Sequence, residues 1–274
     1  MQDEAQDEHK RSPAMSDTPR FETLDLQIGD DGAAVLTVNR PAKLNALNAQ
    51  VLGELEEAVS WLDGREDVRA VVLTGAGGKA FVAGADISEF QGLDAAAGEG
   101  LSRKGQGLLR RIEESRMPWV AAIDGYALGG GAELAMACHL RVGSGRAVIG
   151  LPEVTLGLIP GYGGTQRLAQ IVGRSRAMDL VLTARMVKAP EALDMGLLNR
   201  ISDDVPVVDL ARQLLEPVLR HAPIAIRHAM QAVLASGAPN GYAREAALFG
   251  DLCGTSDFEE GTRAFLEKRP PHSK

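Results

Sequence analysis

The stretch WVAAIDGYALGGGAELAMAC, residues 119–138, reads as a strand, a turn and a helix in immediate succession. Pro118 precedes Trp119–Ile123, a short apolar run bounded by turn residues, as expected of a buried strand. Gly125 and the glycine triplet Gly129, Gly130 and Gly131 then open an apolar helix that continues to about Ala137. Three consecutive glycines let the backbone approach a ligand closely. The first amides of a helix have no partner within it and lie at the positive end of its dipole, which suits an oxyanion. A tight strand-to-helix turn, packed closely for its own sake, accounts for the glycines equally well.

The same alternation extends outward from this stretch. Residues 23–28 and 34–39 read as strands around an Asp30-Asp31-Gly32 hairpin turn. Asn48 caps a helix to about Leu62, with Val51, Leu52, Leu55, Ala58 and Val59 at helical spacing and Gly64 as a stop. Residues 68–74 form a β-branched run, followed by a loop containing Gly75, Gly77 and Gly78. Residues 101–112 read as a helix, and 139–143 and 147–150 as strand material. Beyond Gly164 the pattern is mainly helical, over 174–183, 189–195, 207–220, 224–236, 242–252 and 257–267. An α/β core over residues 21–205, an α-helical region over 206–274 and a disordered tail over 1–20 are therefore expected.

Composition narrows the function. Apolar residues make up 45% of the 274, enough for a sizeable core. The net charge of -8 and the lack of a dense Lys/Arg run argue against a nucleic-acid partner. The most apolar stretch, residues 119–142, is broken by Asp124, Glu133 and Arg141, so no membrane span is expected. Cys138 and Cys253 form neither a CxxC pair nor a disulfide framework, which fits a reducing, cytoplasmic setting. No metal spacing, Gly-x-Ser-x-Gly elbow or dinucleotide fingerprint occurs, and the glycines at 161, 163 and 164 lack the Lys-Ser/Thr pair of a P-loop.

Two glutamates invite a chemical reading. Glu133 falls in the first turn of the glycine-led helix among Ala132, Leu134, Ala135 and Met136. A carboxylate in apolar company is costly unless paired or protonated, and such a group is poised for proton transfer. A glutamate at a helix start facing water is the commoner case. Glu153 follows Leu151-Pro152 after a strand, where a lone glutamate is usually solvated. Adding water to a double bond needs one group to take a proton and one to deliver it, and the two glutamates would supply both. Ala83, Gly84, Ala85, Asp86 and Ile87 form a second small-residue segment able to present amides, or an ordinary strand-to-helix connection.

Together these motifs resemble the crotonase, or enoyl-CoA hydratase, family. The segments are NRPAKLNALN (39–48), FVAGADISE (81–89), GYALGGGAELAMAC (125–138), LPE (151–153), GLIPGYGGTQRL (157–168) and FLEKR (265–269). The resemblance covers about residues 21–269. It implies a spiral of ββα units with a helical C-terminal region that builds homotrimers, usually paired into homohexamers. It implies an acyl-CoA substrate whose thioester oxygen sits between the N–H groups of Ala85 and Gly130. The segment around Ala83, Asp86 and Ile87 would bind the CoA moiety through backbone groups, and Lys43 would meet a CoA phosphate or simply be solvated. No cofactor beyond the CoA of the substrate, and no metal, is implied.

Members that hydrate enoyl-CoA carry both glutamates. By resemblance, Glu133 deprotonates the water attacking C3 and Glu153 protonates C2. The expected activity is a hydro-lyase, syn addition of water to trans-2-enoyl-CoA. The alternatives are a Δ3,Δ2-enoyl-CoA isomerase, another acyl-CoA lyase of the same fold, or a non-catalytic, for example RNA-binding, member. His139 departs from the family, where Asp commonly follows the Cys. The walls that set acyl chain length are expected to include residues 90–100.

Overall fold

In the computed structural model, residues 18–202 and 204–271 are described. The expected tail falls outside them over residues 1–17, and residues 18–20 have no regular secondary structure. The order is β1 (Leu24–Ile28), β2 (Ala33–Val38), α1 (Ala49–Asp63), β3 (Ala70–Gly75), β4 (Ala80–Ala83) and α2 (Ala95–Glu113). Then come β5 (Trp119–Ile123), β6 (Tyr126–Leu128), α3 (Gly130–Ala137), β7 (Leu140–Ser144) and β8 (Val148–Gly150). α4 (Gly164–Val172), α5 (Arg174–Thr183), β9 (Val187–Lys188), α6 (Ala189–Asp194) and β10 (Arg200–Ser202) follow. The chain ends in α7 (Val207–Leu219), α8 (Pro223–Leu234), α9 (Gly241–Cys253) and α10 (Ser256–Leu266).

Successive strands are dealt to two different sheets. One has the order β1-β2-β3-β5-β7-β10, the other β4-β6-β8-β9. Each strand pair, β3 with β4, β5 with β6 and β7 with β8, contributes one member to each sheet before the chain turns back through helical structure. Within each sheet these members pair in parallel, so every repeat lies one strand further along both sheets. That is the spiral of ββα units expected from the sequence. The first pair, β1 and β2, is an antiparallel hairpin, as Asp30-Asp31-Gly32 predicts.

α3 runs through the centre of the spiral, and all eight of its residues are buried. Gly131 is what lets it dock on β4, since a Cβ there would lie 1.9 Å from the Val82 carbonyl oxygen. α7 covers the opposite face of the larger sheet, where Val207, Leu210, Ala211 and Leu215 pack with Val72, Val120, Ala122 and Val142. α8 and α9 contain no buried residue.

The sequence reading differs from the structure at the short elements. β4 and β6 are not picked out in the sequence, because three- and four-residue strands set among glycines show no periodicity. α2 begins at Ala95 rather than 101, capped by Asp94, whose carboxylate accepts from the Ala97 amide at 2.8 Å. Gly98 and Gly100 hide that first turn from a propensity reading. His139, the departure from the family pattern, is absorbed locally. Its Nδ1 accepts from the Trp119 amide at 3.0 Å, so Nε2 carries the proton toward the Glu113 carbonyl at 3.1 Å. Burial pushes its pKa down to about 4, so it stays neutral.

Candidate active site

Glu133 lies in the first turn of α3 and is only 2% exposed. Its Oε1 accepts two backbone amides, from Tyr162 and from Gly164, both at 2.7 Å. Two such bonds favour the carboxylate, but burial outweighs them and the nearby charge of Glu153 adds to the upward push. The result is a carboxyl whose pKa is raised to about 7, where it exchanges protons near neutrality.

Glu153 opens a short 3-10 turn, Glu153–Leu156, directly after the β8 end and Leu151-Pro152. Its carboxylate reaches over Gly129, where a Cβ would lie 3.0 Å from Oε1. Burial raises its pKa as well. Its Oε2 is buried and has no hydrogen-bond partner among the described residues. A buried oxygen left this way is expected to find a polar partner in the working site. The structure thus brings the two glutamates to one place, close enough for the charge of one to act on the other.

The amide-bearing segments meet at the same place. β4 and β6 are neighbours in the smaller sheet, with Ala83 paired to Leu128. Gly84 and Ala85 leave the end of one strand, and Gly129 and Gly130 leave the end of the other. Gly84 holds φ +103 and Gly129 φ +50, left-handed backbone open to glycine. The Ala85 segment is tied to Leu47 through the bonds Leu47 N–H to Gly84 O at 2.9 Å and Asp86 N–H to Leu47 O at 2.7 Å. Those bonds use the Gly84 carbonyl and the Asp86 N–H and leave the N–H of Ala85 outside the ladder. Gly130 is the first residue of α3, where an amide has no acceptor within the helix.

A cavity of about 620 Å³ opens over these groups and is lined by Ala83, Ala85, Ile87, Gly130, Glu133 and Glu153. Its outer wall is apolar and comes from Phe90, Leu93 and Leu101 on one side and Leu156, Leu158 and Ile159 on the other. The stretch expected to shape the pocket, 90–100, does line it through Phe90, Leu93 and Gly98. Two of the expected binding residues lie outside the lining. Asp86 caps the 3-10 turn Ile87–Phe90, accepting from Ser88 Oγ at 2.7 Å, and faces Arg40 at 3.7 Å. Lys43 ends the exposed 3-10 turn Pro41–Lys43.

The sequence reading missed the groups that hold Glu133. Gly161, Tyr162, Gly163 and Gly164 stand in the sequence as a poor likeness of a phosphate loop and as part of the family-like segment 157–168, with no role toward Glu133. Their actual role is to turn two amides onto one carboxylate oxygen, and Gly163 at φ +101 makes that turn possible. Arg167, on α4, reaches under the same turn. Among the described residues no cluster of three or more His, Cys, Asp or Glu side chains could hold a metal ion, and no helix is long and apolar enough to cross a membrane.

Two sheets wound together around a buried helix, with paired carboxyls beside two strand-end amides, define an enzyme of the crotonase fold. The Enoyl-CoA hydratase/isomerase family model matches residues 29–274, and the chain belongs to that family. It is 41% identical over 239 residues to the short-chain-enoyl-CoA hydratase of Clostridium acetobutylicum, spanning 86% of this chain and 92% of that protein. It is 39% identical over 243 residues to the crotonyl-CoA hydratase of Syntrophomonas wolfei, spanning 88% and 94%. Among solved structures, an enoyl-CoA hydratase from Bacillus anthracis superposes with a TM-score of 0.86 at 34% identity, over 92% of this chain and 99% of that one. Pseudomonas aeruginosa DspI superposes with a TM-score of 0.88 at 34% identity, over 95% and 100%.

Proposed function

We propose that this chain is an enoyl-CoA hydratase, adding water syn across the double bond of a trans-2-enoyl-CoA to give the 3-hydroxyacyl-CoA. One observation carries the reading: Glu133 and Glu153 share a cavity wall with the amide-presenting segments at Ala85 and Gly130. In this reading the thioester oxygen lies between the N–H groups of Ala85 and Gly130. Glu133 takes a proton from water as its oxygen attacks C3. The electrons of the double bond move toward the thioester, and the two amides stabilise the enolate charge. Each such donor is worth about 2.7–4 kcal/mol of barrier. Glu153 delivers a proton to C2, and the pair regains its starting state by passing one proton across. The charge of Glu153 acts on Glu133, so the protonation of Glu133 depends on the state of its neighbour.

Carboxyls and amides suffice for this chemistry, so the proposal includes no cofactor beyond the CoA of the substrate and no metal. The apolar wall formed by Phe90, Leu93, Leu156 and Ile159 suits the acyl chain. Lys43 and Asp86, beside Arg40 at the edge of the site, and the backbone around Ala83 and Ile87, are assigned to the CoA portion. Trimers or hexamers are proposed from the aromatic surface of the last helices, where Tyr242 is 92% and Phe265 82% exposed. A cytoplasmic location is proposed from two cysteines that remain free, Cys138 and Cys253.

The test is crotonyl-CoA hydration, followed as loss of the conjugated-thioester absorbance, beside Glu133→Gln and Glu153→Gln. Both variants should fold and lose about 10²–10⁴-fold in kcat. A wild type that shifts the double bond without adding water would sink the proposal in favour of an isomerase.

A further inference from the structure

We propose that Arg167, anchored by Glu113, is a positioning residue for Glu133, acting through the backbone turn at residues 162–164; this rests on the hydratase reading above. The chain of contacts is continuous. Arg167 Nη1 donates to the Tyr162 carbonyl at 2.9 Å, and Nη2 to Glu113 Oε2, at the end of α2, at 2.8 Å. The next groups along the turn, the amides of Tyr162 and Gly164, hold Glu133 Oε1. The guanidinium lies against Gly163, where a Cβ would come 2.5 Å from Nη1. α2 grips the turn a second time from the other side. Ser102 Oγ and Gln106 Nε2 both donate to the Gly161 carbonyl, at 2.6 and 3.0 Å.

Stability alone does not account for this arginine. Arg167 is 8% exposed, and its Nε is buried with no partner among the described residues. Taking a guanidinium out of water costs several kcal/mol, and a buried ion pair often does no better than apolar residues of the same volume. What the arginine supplies is geometry and charge at the turn. Its planar fork fixes the Tyr162 carbonyl against Glu113, and that carbonyl belongs to the peptide unit lying between the two whose N–H groups hold Glu133. Its charge also opposes the upward push that burial and Glu153 exert on the Glu133 carboxyl. Glu153, Arg167 and the Tyr162 phenol are the titratable and charged groups that act on Glu133 or feel its charge.

The experiment is a kcat and KM profile against pH with crotonyl-CoA for the wild type, Arg167→Met, Arg167→Lys and Glu113→Gln, each with its melting temperature. Loss of the turn's hold should cost Arg167→Met about 10²-fold in kcat, the effect of misplacing a reacting group by about an ångström. KM should barely move, because substrate contacts are untouched. The acidic limb of kcat should move to higher pH, since the Glu133 carboxylate loses a stabilising cation. Lysine keeps the charge without the fork, so Arg167→Lys should restore the limb and only part of kcat. If Arg167→Met does not fold, Arg167→Lys and Glu113→Gln decide, each predicted to melt near wild type with kcat reduced. Folded variants with wild-type kcat and an unmoved limb would overturn the proposal. A wild type without hydratase activity would instead overturn the hydratase reading, and this inference with it.

Discussion

The ring of Tyr162 occupies the space beside Gly105 that any side chain at that position would need, for a Cβ on Gly105 would lie 2.2 Å from Tyr162 Cδ1. The contact links the wall of the acyl pocket to the carboxyl at its base, because the Tyr162 amide holds Glu133. Replacing a mid-helix glycine by alanine ordinarily gains about 1 kcal/mol. Here the gain is opposed by overpacking against a buried ring, typically about 1–3 kcal/mol. Gly105→Ala is therefore expected to lower the urea midpoint and kcat together. Gly98, on the same helix, has no atom within 4 Å of an added Cβ. Gly98→Ala should accordingly raise the midpoint. Equal stabilisation by the two substitutions would show that the Tyr162 ring is not seated on Gly105.

Glu133 also makes stability depend on pH. Its folded pKa, about 7, stands above the ordinary 4.5, so the folded state holds the proton more tightly. The associated stability is complete below the ordinary value and is lost as pH rises through about 7. At roughly 1.4 kcal/mol per pKa unit, the raised value of about 7 corresponds to a loss on the order of 3 kcal/mol. Glu153, also raised, acts with the same sign. Denaturant titrations from mildly acidic to mildly basic pH should show the decline in the wild type and a flatter profile in Glu133→Gln. Parallel profiles would mean that Glu133 is not the group responsible.

The C-terminal helices expose more aromatic surface than a lone chain needs. Tyr242, Phe249 and Phe265 are 92%, 68% and 82% exposed, in a protein whose residues are only 4% aromatic. Large exposed side chains of this kind are what the proposed subunit contact would cover. Sedimentation equilibrium should find species of three or six chains, and Phe249→Asp should shift the population toward smaller species without unfolding it. A wild type that sediments as a monomer at micromolar concentration would rule out the proposed assembly.

Legibility followed the length and periodicity of each element. Trp119–Ile123 and the helix capped by Asn48 carry strong apolar patterns, and both stand where expected, Asn48 accepting from the Val51 amide at 2.9 Å. β4 and β6 escaped notice because their significance lies in pairing with each other, 46 residues apart in sequence between Ala80 and Tyr126. The site was half legible. Glycines ahead of a glutamate suggested amides and a buried carboxyl, and resemblance supplied the partner at Glu153. Nothing in local spacing said that the amides of Tyr162 and Gly164 would fold back onto Glu133, 29 and 31 residues away. Arg167 stands in the family-like segment 157–168 without a role for the same reason, since its value depends on Glu113, 54 residues distant.

The pairing of β4 with β6 has a consequence for how such a protein is retargeted. Gly84 and Gly129 step off adjacent rails of one ladder, so the gap between the segments that follow is set by strand spacing rather than by side chains. Point substitutions leave that gauge alone, because moving it would mean slipping a whole sheet out of register. Phe90, Leu93 and Ile159, by contrast, are held by no such ladder and can be exchanged singly. Strand spacing thus shields the gap between those two segments from exchanges at these three side chains, so changes of diet need not reset it.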